Sequence, residues 1–181
     1  MFKKILIGLA ALILIFVAIV AMQPSEFRVE RTAGIAAPQA DLFAQVNDLR
    51  KWETWSPWAK LDPAAKVGFE GPDSGQGAVM TWAGNDKVGE GKLTIVESRP
   101  NELVKVRADF VKPFEGSATS EFAFKPDGDQ TAVTWTMSGE HGFIGKALCL
   151  VMDGTKMMGD DIEKGLAQMK SVAEAAKTAS N

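Results

Sequence analysis

The sequence predicts an α+β fold: a curved antiparallel sheet of six to seven strands wrapped around one long C-terminal helix, preceded by one transmembrane helix. Three observations carry this reading. Residues 5–22 contain no charged or strongly polar side chain. Between Phe27 and Met137 apolar residues repeatedly fall on one parity and polar residues on the other, the period-two signature of strands with one wet face. Beyond Asp160 the apolar period lengthens to that of an amphipathic helix.

At about 1.5 Å per residue, residues 5–22 span roughly 27 Å, close to the hydrocarbon thickness of a bilayer. A cleavable signal peptide is the rival reading, because a basic start followed by an apolar run describes both. Two details favour retention: the run exceeds the usual signal core, and Ile19 stands where a cleavage point after Ala21 would want a small residue. Lys3 and Lys4 should stay on the cytoplasmic side. The expectation is a single-pass protein of the inner (cytoplasmic) membrane, with residues 1–26 as anchor and linker and residues 27–178 as a domain on the periplasmic or extracytoplasmic side.

Of 181 residues, 20 are Lys or Arg and 23 are Asp or Glu. Without the apolar segment and its flanking lysines the chain has about 155 residues, one ordinary domain able to bury roughly 70% of its unfolded surface. Its acidic balance argues against a nucleic-acid partner, since phosphate binding needs clustered Lys and Arg to displace counterions.

The first strand places Phe27, Val29, Ala33 and Ile35 opposite Arg28, Glu30 and Thr32. Pro38 then opens a short helical pattern, Leu42, Phe43 and Val46, that fades at Asn47 and Asp48. A Trp-rich connection comes next. Strand alternation returns at Met80 and Trp82, at Gly91, Leu93 and Ile95, and at Val104, Val106, Ala108 and Phe110. It recurs at Ala118, Ser120, Phe122 and Phe124 and at Val133, Trp135 and Met137. Turn residues at 84–86, 99–101 and 126–129 separate these runs, and turns this short force antiparallel neighbours. Residues 143–158 read as a shorter helix broken near Gly154 or Gly159. Then Ile162, Leu166, Met169, Val172, Ala173 and Ala176 mark the apolar stripe of the long helix, with Asp160 as its N-cap.

A sheet with one apolar face and only terminal helices to cover it is satisfied by curling around the long helix. One helix, about 10 Å wide, does not fill a strongly curved sheet, so a cavity is the usual consequence.

The residues also resemble a known family. Trp55-Ser56-Pro57-Trp58 with Asp62-Pro63, the turn and strand at 77–82, Gly89-x-Gly91, Pro113-Phe114, Trp135-x-Met137-x-Gly139, and Gly159-Asp160 followed by Gly165-Leu166 and Lys170 occur in this order. Over residues 27–177 the chain resembles a membrane-anchored bacterial member of the START-like (SRPBCC) superfamily. This is the helix-grip group that includes the birch-pollen allergen and the polyketide cyclase/dehydrase and lipid-transport proteins. The resemblance implies a helix-grip fold and a habit of binding apolar molecules. It does not fix a reaction.

The candidate ligand-binding residues are Trp55, Trp58, Met80, Trp82, Val106, Phe110, Phe122, Trp135, Met137 and Met158. Aromatic walls and flexible thioethers suit an apolar small molecule or lipid. The same residues suit a filled core, and Trp52, Trp55 and Trp58 suit either the lip of a pocket or a plug at the end of the sheet.

Catalytic signals are weak. His141 is the single histidine and Cys149 the single cysteine, too few ligands for an ordinary metal site. No nucleophile elbow supports a pairing of the two. The neighbours Leu148, Leu150, Val151 and Met152 suggest that Cys149 is buried. Gly145-Lys146 lacks both the first Gly and the Ser or Thr of a phosphate loop. Arg107, Asp109 and Glu121 lie on the polar parity, facing away from the expected cavity. The reading is non-catalytic binding, with no cofactor and no metal. A polyketide-cyclase-like enzyme and a filled-core interaction module of the cell envelope are the alternatives.

Overall fold

A computed structural model describes residues 2–151 and 153–179. Helix α1 (Phe2–Met22) is long and apolar enough to cross a membrane by length and composition. Three residues then lead into β1 (Glu26–Ile35). Helix α2 (Gln39–Asn47), a 3-10 turn (Leu49–Lys51) and the single turn α3 (Trp52–Trp55) succeed it. The strands β2 (Lys66–Glu70), β3 (Val79–Ala83), β4 (Glu90–Arg99), β5 (Leu103–Lys112), β6 (Gly116–Asp127) and β7 (Gln130–Glu140) come next. The chain closes with α4 (Phe143–Val151) and α5 (Gly154–Ala179).

Among the described residues, seven strands form one antiparallel sheet in the order β1-β7-β6-β5-β4-β3-β2. The register puts the predicted parity on one face: Val29 opposite Met137, Phe122 opposite Trp135 and Val104, Phe110 opposite Gly91, and Trp82 opposite Gly91. Irregular register at Glu90/Gly91 and at Ile95/Glu97 marks where β4 bends.

Helix α5 lies over β1 and β7. Its stripe of Ile162, Leu166, Met169 and Ala173 is buried at helical spacing. Its polar side chains cover the β1 edge. Arg31 pairs with Glu163 at 2.6 Å, Lys170 Nζ donates to the Gly34 carbonyl, and the Ala36 amide donates to Glu174. Such cover protects an edge strand from pairing with another chain. The other cover comes from α2 and α3, whose Leu42, Val46, Trp52 and Trp55 join the same core.

Two expectations need correction. The long helix does not begin at Asp160. It begins six residues earlier and runs through Gly159, whose missing side chain leaves room for the Arg31 guanidinium. The cap is Asp153, whose side chain accepts from the Lys156 amide at 2.9 Å while its carbonyl accepts from Met157. Asp160 sits inside the helix and pairs with Lys156 at 2.8 Å. Cys149 is half-buried rather than buried; of the neighbours that suggested burial, Met152 lies outside the described residues.

Candidate ligand-binding face

The concave face has an inner part, under α3 and α5, and an outer part beyond them. Inside, Trp55, Val106, Phe122 and Trp135 are fully buried and Met137 nearly so. Phe122 and Trp135 lie with ring centroids 4.7 Å apart, and Trp55 meets Trp135 edge-on at 5.7 Å. Trp58, half-buried, stands edge-on to Trp135 at 5.8 Å. Met158 packs on this cluster from α5. The indoles of Trp52 and Trp55 donate to the Val46 and Gln45 carbonyls, tying α3 back to α2. Trp52 and Trp55 are thus part of the buried core, with Trp58 partly buried against it.

Edge-on aromatic packing of this kind is dense and contributes beyond area alone. One donor remains unmatched: Trp135 Nε1 is buried without an acceptor among the described residues.

The outer part is built differently. Trp82 stands edge-on to Phe110 at 5.9 Å, and its Nε1 donates to the Val88 carbonyl at 2.9 Å. Gly91 makes this possible. A Cβ there would meet Trp82 Cη2 at 2.6 Å and the Asp109 carbonyl at 2.5 Å, so only glycine lets the indole lie on β4. Met80 and Leu93, paired across β3 and β4, are half-buried beside them. Phe110 is 37% exposed. Ring contacts among the predicted site residues form two separate groups, Trp55, Trp58, Phe122 and Trp135 inside and Trp82 with Phe110 outside, so these residues come together in two sets.

Arg31, opposite Trp135 in register, is charged and lies on the concave side against Glu163 of α5, whereas Glu30, Lys105, Arg107, Asp109 and Glu121 lie on the convex face. Arg107 pairs with Asp109 at 2.8 Å, and Lys105 lies between Glu121 and Glu97. Hydrogen bonds to Glu121 and Glu97 push the Lys105 ammonium above its ordinary range. Hydrogen bonds from Thr136 and Arg28 hold the Glu30 carboxyl below its own.

Two open clefts, each about 320 Å³, lie at the ends of the sheet. One runs between the start of β1 and α4, lined by Phe27, Arg28, His141, Lys146 and Cys149. Here Cys149 Sγ sits 3.6 Å from His141 Nε2, and Phe27 stacks on the imidazole at 4.5 Å. No sequence motif announces this pairing.

A curved antiparallel sheet closed by a long C-terminal helix, with aromatic side chains on its concave face, defines the helix-grip class. Comparison with known proteins narrows this. Residues 26–174 match the family described as polyketide cyclase / dehydrase and lipid transport, and the chain belongs to it. No curated protein matches. Among solved structures, the chain is similar to the di-domain ARO/CYC StfQ from the steffimycin biosynthetic pathway (TM-score 0.64, 13% identity, 85% of this chain and 52% of that one). It is also similar to an uncharacterized protein from Rhizobium leguminosarum (TM-score 0.63, 12% identity, 84% and 97%). A third is the Aha1 dimer from Colwellia psychrerythraea (TM-score 0.59, 17% identity, 82% and 96%). At these identities the likeness establishes the fold alone.

Proposed function

We propose that the chain is a membrane-tethered helix-grip domain that binds an apolar small molecule or lipid, without catalysis, on the outer part of its concave face. Residues 1–26 serve as anchor and linker. Residues 27–178 form the binding domain, held outside the cytoplasm by the orientation that Lys3 and Lys4 favour.

The observation that carries this reading is the half-open apolar surface of Trp82, Phe110, Met80 and Leu93, which continues across the β2–β3 pairing onto the exposed Val67 and Phe69. Large flat rings with one side free suit an apolar guest. The register adds a direction. Trp82, Gly91, Phe110 and Gly116 form one row across the sheet, at the end where β1 leaves α1 and β7 gives way to His141. The open surface therefore lies toward the end of the domain from which the anchor emerges, where apolar ligands partition.

Binding without chemistry is supported by the face itself. Its inward strand positions from Val67 to Met137 carry no carboxylate, His or Cys. Proton transfer on a bound polyketide-like substrate would need such a group within reach.

Native mass spectrometry of the chain extracted from its own membrane tests the reading. A lipid or small molecule should accompany the wild-type protein and be lost from Trp82→Ala and Phe110→Ala. A guest retained by both variants, or no guest on the wild type, overturns it.

A further inference from the structure

Helix α4 has two chemically different sides. Gly145 and Cys149 face inward on His141: a Cβ on Gly145 would meet the imidazole Nδ1 at 3.2 Å, and the thiol lies 3.6 Å from Nε2. The remaining arc, Phe143, Ile144, Leu148 and Leu150, is 41–51% exposed. At about 100° per residue these four side chains spread over roughly 160° of the helix surface. The helix has Lys146 and no acidic residue. A surface helix normally turns such an arc toward a core.

The chain path says what covers it. Three residues separate α1 from β1, a reach of at most about 10 Å. The His141 amide donates to the Ser25 carbonyl at 2.6 Å, so the start of α4 is pinned beside that short linker. Helix α4 packs against α1 itself, and Val20, near the end of α1, is fully buried. Once α1 spans a bilayer, α4 has no room to stand clear of its surface.

We infer that α4 lies in the bilayer interface as an amphipathic helix, with Phe143, Ile144, Leu148 and Leu150 against lipid and Gly145 and Cys149 against the domain. Such helices bury their apolar side by roughly 5–10 Å into the boundary between headgroups and acyl chains. Phe114, exposed on the β5–β6 connection at the same end of the sheet, extends the apolar surface on that side. The inference rests on the anchor reading of α1. It adds a second attachment that fixes the tilt of the domain and turns the open Trp82–Phe110 surface toward the membrane.

The test uses the full chain in vesicles of phosphatidylcholine and phosphatidylglycerol. In a Cys149→Ser background, Ile144→Cys, Leu148→Cys and Asp129→Cys each receive a nitrobenzoxadiazole label. Asp129 lies in the β6–β7 turn at the far end of the sheet. Labels at 144 and 148 should emit at shorter wavelength and lose fluorescence when the lipids are brominated near their carbonyls, and the label at 129 should do neither. Water-like emission at 144 and 148 overturns the inference. A blue shift without bromolipid quenching overturns it too, because protein rather than lipid then covers the arc. A label on Leu12→Cys reads the insertion of α1 separately, so failure of the anchor and failure of the α4 contact give different patterns.

Discussion

Gly165 on α5 presses its backbone onto the indole of Trp135: a Cβ at this position would stand 2.6 Å from Cζ3 of the ring. The ring cannot yield, since Phe122 and Trp55 hold its other sides and all three are fully buried. Gly165→Ala gains about 1 kcal/mol of helix propensity and meets an overpacking cost of about 1–3 kcal/mol. A net loss of stability is expected. Gly159→Ala, on the same helix, meets the end of the flexible Arg31 side chain. That variant should be neutral or more stable by up to about 1 kcal/mol. Urea unfolding of the detergent-solubilised chain compares the two, and equal effects would refute this account of the helix–sheet contact.

Phe110 and Phe122 share a face, yet one is part-exposed and the other sealed. Phe122→Ala should cost about 3–5 kcal/mol. Phe110→Ala should cost less than about 1.5 kcal/mol, because much of its ring is already in water, and should instead lower retention of the apolar guest. Unfolding measured beside native mass spectrometry separates the effects. A large stability loss from Phe110→Ala would place that ring in the core.

Parity along the strands identifies which residues of the sheet face inward, because the pleat alternates whatever covers it. It is silent on how far the cover extends. That depends on α2 and α3, which seal one end of the concave face and leave Trp82 and Phe110 half-open at the other. Strand β2 is missing from the hydrophobic pattern for a related reason. Val67 and Phe69 flank Gly68 on an edge strand exposed along its length, so no burial asymmetry marks it and pairing with β3 alone recruits it. The start of α5 is obscured by Gly159, which reads as a break although it lies inside the helix beside the Arg31 side chain. The His141–Cys149 contact joins a strand end to a helix across Gly142, a geometry with no signature of its own.

The convex face titrates in two directions. Glu30 is held below its ordinary value of 4.5, chiefly by the Thr136 hydroxyl. Its stabilising contribution is therefore present above that value and is lost as pH falls through the lower, folded one. Lys105 is raised above 10.5 by Glu121 and Glu97, so its contribution is complete below 10.5 and is lost as pH rises through the folded value. Thr136→Val should move the Glu30 titration upward in a carboxyl NMR experiment. An unmoved Glu30 would show that the hydroxyl is not its partner.

Asp153 and Asp160 reverse the roles their positions suggest. As the first of an acidic pair beside a helical pattern, Asp160 reads as a cap, but its carboxylate pairs with Lys156 on the exposed helix surface. A solvent-exposed pair at this spacing contributes little, because water and salt screen it. Asp153 satisfies a backbone amide that has no intrahelical acceptor, and its loss should cost about 1 kcal/mol. Asp153→Ala should therefore destabilise α5 more than Asp160→Ala, and Asp153→Asn should restore most of the loss because the amide oxygen still accepts. Salt separates the mechanisms: screening weakens the Asp160 pair and leaves the Asp153 cap largely intact. If Asp160→Ala costs more than Asp153→Ala and its effect is insensitive to salt, the cap is Asp160 and the helix begins where the sequence alone would place it.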